Sequence, residues 1–269
     1  MKILVLVKQV PDTSEIQLNK ETNTLDRENA KAITNPDDLA GIEEALRLKE
    51  KHGGTVTTVT MGPLQAKNMI QELYAIGVDH CALITDRAFG GSDTLATSTI
   101  ISEYIKRYQP DFDLIIAGYQ AIDGDTAQVG PQVAELLDIP QATYLQKIRK
   151  VDKKNKTIIV EKRYEDHVDV LELPLPALIT TLADMNTPRL LNTWDIMTSQ
   201  DKLDNDLQVI TYEEMPIDKS IIGLKGSPTK VSGISNKQAV QKSPAEALSP
   251  EEAADKIAKL VYPYIEVNK

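Results

Sequence analysis

Four short apolar runs, each followed by a stretch of helical periodicity, constrain this chain more than any other feature. They cover residues 3–8, 55–61, 80–85 and 113–118, and none shows strict alternation of polar and apolar positions. A strand that is apolar on both sides needs cover on both sheet faces, which intervening helices supply to parallel neighbours. The expectation is an α/β fold with a parallel sheet.

The intervals have recognisable starts and stops. Asn35 is placed to cap a helix with Pro36 in its first position, and Asp37 and Asp38 face the positive end of its dipole. Leu39, Ile42 and Leu46 form its inner face, and Gly53-Gly54 ends it. Gly62-Pro63 turns into a second helix with Met69, Ile70, Leu73 and Ile76 inward, closed by Gly77. A third follows Asp93, with Ile101, Tyr104, Ile105 and Tyr108 as its stripe. A fourth follows Asp125, with Val129, Val133, Leu136 and Leu137 inward, and stops before Pro140.

Beyond Ala142 the pattern changes. Residues 157–160 and 168–173 read as antiparallel strands added to the sheet edge or packed nearby. After residue 184 regular period fades, until Ser249-Pro250-Glu251-Glu252 supplies a capping box for a last helix carrying Ala254, Ile257, Val261 and Tyr264. The chain thus divides into an α/β domain, 1–184, and an arm, 185–269, with too little apolar surface for a core of its own. Such an arm either lies on another subunit or is a partly disordered tail.

Thirty basic and forty acidic residues give a charge of -10, with no dense basic cluster. This speaks against nucleic acid or an anionic membrane as the main partner. The apolar run after Lys2 ends at Lys8, too short for a targeting segment or a membrane span. Cys81 is the single cysteine and sits in an apolar run, so it reads as a small core residue in a protein of the reducing cytoplasm. His52, His80 and His167 are scattered, which argues against metal catalysis, and neither a nucleophile elbow nor a Walker lysine loop occurs.

Two strand-to-helix loops carry the chemistry. Gly118 to Pro131 leaves a strand end and runs into a helix N-terminus, where open α/β sheets bind ligands. Gly118 and Gly124 permit close backbone approach, and free N–H groups at the helix start suit a phosphate. Thr126 and Gln128 add neutral hydrogen-bonding groups. Asp123 and Asp125 either accept from ribose hydroxyls or cap the helix, capping being the better fit for Asp125. The second loop, Asp86 to Ser98, offers Gly90-Gly91 followed by hydroxyl residues, with Arg87 able to face a pyrophosphate and Asp93 equally able to act as a plain cap.

Gly118 to Pro131 resembles the nucleotide-binding signature of the beta subunit of electron transfer flavoproteins. The resemblance continues through Val7-Lys8-Gln9-Val10-Pro11-Asp12, Asn35-Pro36, Glu44 to Glu50, Met61-Gly62-Pro63, Met185-Asn186-Thr187-Pro188-Arg189 and Gly223 to Thr229. It implies a Rossmann-like nucleotide-binding domain, similar to adenine nucleotide hydrolases, in a heterodimer with an alpha subunit. It also implies a nucleotide site at Leu6, Asn35, Pro36, Met61, Gly118, Gln120, Ala121, Ile122, Asp123, Gly124, Asp125, Thr126, Gln128 and Val129, joined by Asp93, Thr94 and Thr97 for a larger cofactor.

In simple carriers of the family that cofactor is AMP; in electron-bifurcating members it is FAD, which exchanges hydride with NAD(H). The loop from Asp86 to Ser98 and the run from Asp123 to Pro131 are similar to the second group. The implied partners are ferredoxin or flavodoxin and a flavoprotein dehydrogenase of the acyl-CoA or 2-hydroxy acid type, with Met185 in the loop that docks on it. Many relatives carry a basic residue where this chain has Tyr119. Two other readings stay open: an ATP-dependent ligase or pyrophosphatase, whose phosphate loop follows its first strand whereas Gly90 to Thr94 follows the third predicted one, and a nucleotide sensor without redox chemistry.

Overall fold

Strand β1 (Lys2–Leu6) occupies the middle of a nine-stranded sheet because its side chains are buried on both faces. Ile3 and Val5 enter one core, and Leu4 and Leu6 the other. The computed structural model describes residues 1–12, 18–19, 24–25, 31–230 and 246–265. Along the chain follow α1 (Pro36–His52), β2 (Thr55–Met61), α2 (Lys67–Ile76), β3 (His80–Ile84), α3 (Thr94–Tyr108), β4 (Leu114–Gly118) and α4 (Val129–Leu136). Then come β5 (Gln141–Asp152), β6 (Thr157–Arg163), β7 (Val168–Pro174), β8 (Ala177–Thr181), α5 (Thr193–Asn205) and β9 (Gln208–Ile210).

The strand order is β7-β6-β5-β8-β4-β1-β2-β3-β9. From β5 to β9 all neighbours run parallel, and β6 and β7 extend the edge as antiparallel strands. The chain leaves β1 toward β2 on one side and returns to β4 on the other. Their carboxyl ends therefore diverge at a topological switch point, which opens a crevice there.

Helices cover both faces, as continuous apolar strands require. Ile42 and Leu46 of α1 and Met69, Ile70 and Leu73 of α2 share one core; Ile101, Tyr104 and Ile105 of α3 and Val133 of α4 share the other. Leu39, Ile76, Tyr108, Val129, Leu136 and Leu137 lie at the core margins, only partly buried. Cys81 is buried beside the Thr58 hydroxyl, and burial pushes its thiol up to about 12, so it packs as an apolar residue. Among the described residues, no helix is long and apolar enough to cross a membrane.

Two local expectations are corrected. Helix α4 begins at Val129, so Asp125 does not cap it; Asp125 sits at φ 50 and accepts from Gln120 Nε2 at 3.0 Å. Asn35 starts α1, but its side chain does not cap that helix. Gly124 does not itself adopt positive φ, and a Cβ there would meet no protein atom within 4 Å. The reason is that Asp125 and Ala127, at φ 50 and 53, absorb the left-handed turns of the loop.

The region after residue 184 also holds more structure than its composition suggests. Helix α5 packs on α2, and β9 completes the parallel edge beside β3. One compact unit runs from Met1 to Ser232, and a second from Gly233 to Lys269. In the second, α6 (Pro250–Ile265) opens with the expected capping box, Ser249 N–H donating to Glu252 Oε2 at 2.9 Å and Glu252 N–H to Ser249 Oγ at 3.3 Å.

The start of α1 joins the strand ends around the crevice. Asp38 accepts from Lys8 N–H at 2.8 Å, Gly118 N–H at 3.0 Å and Asn35 Nδ2 at 3.1 Å. Asp37 accepts from Ala183 N–H at 2.6 Å. Asn35 donates to Gln120 O at 2.7 Å and accepts from Ile122 N–H at 3.1 Å. Burial pushes the Asp38 carboxyl up to about 7 against the pull of these donors, and Asp37 is raised as well by burial. An acid whose folded pKa lies above its unfolded value stabilises the fold below the unfolded pKa, here 3.8, and that contribution is lost as pH rises toward 7. Denaturant unfolding across pH 4 to 7 should therefore show the native chain losing stability relative to an Asp38→Asn variant. Parallel pH profiles for the two would show that Asp38 stays charged throughout.

Candidate functional site

The crevice at the carboxyl ends of β1 to β4 is a cleft of about 1020 Å³, a size that suits a nucleotide cofactor. Of the residues expected from sequence, Leu6, Met61, Asp93, Thr94, Thr97, Gly118, Gln120, Ala121, Gly124, Thr126, Gln128 and Val129 line it. Asn35, Pro36, Ile122, Asp123 and Asp125 do not. They stand behind the wall: Asn35 fixes the turn at Gln120 and Ile122, Pro36 opens α1, and Asp123 holds the Lys8 ammonium at 2.7 Å.

Gly118 serves this framework directly. A Cβ at that position would collide with the Asp38 carboxylate and the Asp37 side chain, so glycine is what lets β4 approach the start of α1. The loop that follows reverses handedness at Asp125 and again at Ala127 before entering α4. Among the described residues, the N–H groups of Thr126, Ala127 and Gln128 meet no acceptor. Successive free N–H groups in such a loop, ahead of a helix N-terminus, form an anion-binding concavity. Left-handed backbone at non-glycine residues costs on the order of 1 kcal/mol each, and this strain is concentrated where the free donors are.

Across the cleft, the second loop is held by its own contacts. Asp93 caps α3 by accepting from Ala96 N–H at 3.0 Å. Its other oxygen accepts from the N–H and the hydroxyl of Thr229 at 2.9 and 2.7 Å. Backbone donors and the Thr229 hydroxyl outweigh burial and hold its carboxyl below the usual range. Ser92 Oγ accepts from Gly223 N–H at 3.0 Å, and Ser227 Oγ from Asp93 N–H at 2.8 Å. This clasp gives a role to the segment from Gly223 to Thr229, which carried no chemistry of its own in the sequence. Thr94 Oγ1 donates to Gln128 Oε1 at 2.8 Å and bridges the two loops.

Charge at the cleft is selective. The Lys8 ammonium is neutralised by Asp123, whereas Arg87 lines the cleft with no ion-pair partner among the described residues. Tyr119 contributes a neutral wall, its ring 4.3 Å from that of Tyr144. The hydrogen bond with Tyr144 raises the Tyr119 phenol, which therefore remains protonated. Sequence reasoning overlooked Lys8 and Asp38, because their role depends on strand ends that are far apart in the chain. Met185 lies away from the cleft, half-buried at the end of the turn Ala183–Met185.

Comparison with known proteins accounts for the architecture. A family model described as "Electron transfer flavoprotein domain" matches residues 22–204. The electron transfer flavoprotein subunit beta of Thermoanaerobacterium thermosaccharolyticum is 47% identical over 231 residues, 86% of each chain. The caffeyl-CoA reductase-Etf complex subunit CarD of Acetobacterium woodii is 43% identical over 232 residues, again 86% of each. An acryloyl-CoA reductase electron transfer subunit gamma from Anaerotignum propionicum is 46% identical over 238 residues, 86% of each. With a family match across most of its α/β unit and such identities over nearly its whole length, the chain belongs to the electron transfer flavoprotein family, among its beta subunits.

Proposed function

We propose that this beta subunit holds FAD in the cleft and takes part in flavin-based electron bifurcation. The observation that carries the reading is the run of N–H groups from Thr126 to Gln128 and the guanidinium of Arg87, all at one cleft and all without a partner among the described residues. Two anion-capable loops on one cleft suit a pyrophosphate with groups extending to both sides, whereas AMP would need only the first. When bound, FAD supplies hydride exchange with NAD(H) and onward transfer of single electrons.

The chain's own residues bind and orient. Thr126, Ala127 and Gln128 present N–H donors to phosphate oxygens, and Arg87 adds a positive charge. Leu6, Met61 and Val129 give an apolar lining, and Asp93, Thr94 and Thr97 border the second loop. Asn35, Asp37 and Asp38 keep the cleft floor rigid, so little reorganisation accompanies binding.

In this reading the partners are an alpha subunit carrying a second FAD, ferredoxin or flavodoxin, and a flavoprotein dehydrogenase in the cytoplasm. The names of the Acetobacterium and Anaerotignum relatives, which refer to caffeyl-CoA and acryloyl-CoA reductase, favour an acyl-CoA substrate for that dehydrogenase over a 2-hydroxy acid. Exposed Ile257, Leu260, Val261 and Tyr262 on α6 give the arm an apolar surface for the alpha subunit. Met185, with the exposed Leu190 and Trp194 that follow its turn, forms the dehydrogenase contact.

Three outcomes test this. The complex with its alpha subunit should release two FAD per heterodimer on extraction; one FAD and one AMP would make it a simple carrier, and no flavin would remove the redox reading. Arg87→Ala should weaken nucleotide retention about tenfold, the size of one charge-assisted contact, with unchanged thermal stability because the Arg87 side chain has no hydrogen-bond or ion-pair partner among the described residues. Full retention would take Arg87 out of the site. Met185→Ala should raise the KM for a purified acyl-CoA dehydrogenase about tenfold and spare nucleotide content, as loss of one interface anchor does. A parallel loss of thermal stability and cofactor would instead make Met185 a core residue.

A further inference from the structure

The turn that carries Met185 is fastened along one face of α1. Ala183 N–H donates to Asp37 Oδ1 at 2.6 Å, Asn186 Nδ2 to Ala40 O at 3.0 Å, and Arg189 N–H to Glu43 Oε2 at 3.1 Å. Asp37, Ala40 and Glu43 are three residues apart, so they stack on one side of the helix and receive the segment turn by turn. Glu43 takes most of the bonds. Its carboxylate also accepts from Arg189 Nε at 2.9 Å and from Arg47 Nε at 2.6 Å. Arg189 reaches Glu50 with its remaining fork at 2.6 Å.

Glu43 is an unusual fastener for a surface segment. Its side chain is only 5% exposed, and burial of a charge is costly unless it is fully paired. Burial pushes its carboxyl up, but the bonds from Arg189 and Arg47 outweigh this and hold it below the usual range, so it is charged at neutral pH. A carboxylate that accepts from both the planar guanidinium and the backbone N–H of one arginine permits one orientation of the chain, where an apolar contact would permit several. The exposed Leu190 and Trp194 continue directly from that fixed point.

We propose that Glu43 is a positioning residue for electron delivery: through Arg189 it sets the conformation in which Met185 meets the dehydrogenase. This rests on reading the Met185 turn as the docking contact. The same helix begins at Asp37 and Asp38, which hold the cleft floor, so α1 fixes the distance between cofactor and docking turn in a single rigid element.

The test is a double-mutant cycle in the complete heterodimer, using a purified acyl-CoA dehydrogenase as acceptor. Glu43→Gln and Arg189→Lys should each raise the KM for the dehydrogenase about tenfold, with kcat and nucleotide content unchanged. Arg189→Lys keeps the charge and loses only the fork, so it remains informative if Glu43→Gln folds poorly. Combined with Met185→Ala, neither should raise KM much beyond Met185→Ala alone, because both act through the same contact. Fully additive effects would overturn the proposal and leave the docking reading intact. An unchanged KM in Met185→Ala would overturn the docking reading, and the role of Glu43 with it. Loss of cofactor and a lowered kcat in both Arg189→Lys and Glu43→Gln would reduce Glu43 to a stabilising residue.

Discussion

The site depends on the first turn of α1, where Asn35, Asp37 and Asp38 use side chains to bind the backbone of other segments. A carboxylate that receives N–H bonds from Lys8 and Gly118 fixes the ends of two adjacent parallel strands relative to each other. Parallel strands carry their ligand-binding loops at these ends, so their relative position decides the shape of the crevice. Burying Asp38 raises its pKa to about 7, and that penalty falls on a residue that touches the floor of the cleft. Stability has been sacrificed there for a fixed geometry, a pattern that recurs at ligand sites.

The same economy explains the two loops above the floor. The first stores strain at Asp125 and Ala127 and leaves the N–H groups of Thr126, Ala127 and Gln128 without an acceptor among the described residues. The second satisfies its own donors through Asp93 and Ser227, receives Thr229 on the Asp93 carboxylate, and leaves Arg87 without an ion-pair partner among the described residues. One loop thus offers backbone dipoles and the other a side-chain charge. The Thr94 to Gln128 bond sets their separation.

The parallel sheet and its helices were legible because continuous apolar strands and heptad-like stripes are local signals. Residues such as Ile42, Leu73 and Tyr104 fell in the core as their spacing required. Strands β8 and β9 and helix α5 were not legible. Ala177–Thr181 is a five-residue run between Pro176 and an irregular segment, and β9 has three residues, so both gain their identity from pairing with β4 and β3. Helix α5 exposes Trp194 and Met197, and its polar sequence conceals the face that packs on α2. Asp125 misled for a related reason: an aspartate four residues before a helix resembles a cap, and only the left-handed backbone shows that it belongs to the loop.

Tyr119 gives the cleft a neutral stretch of wall. A basic residue there would add a cation to a lining that already includes Lys8 and Arg87. The tyrosine leaves that wall neutral, and Tyr144, itself at φ 61, brings its ring to within 4.3 Å and hydrogen-bonds the phenol. Lys8 could have compensated, but Asp123 already neutralises it at 2.7 Å. The favourable potential for an anion therefore comes from Arg87 and from the N–H groups of Thr126, Ala127 and Gln128. At Tyr119 itself the lining is neutral and aromatic, an environment that accepts a flat ring but neither stabilises nor repels charge on it.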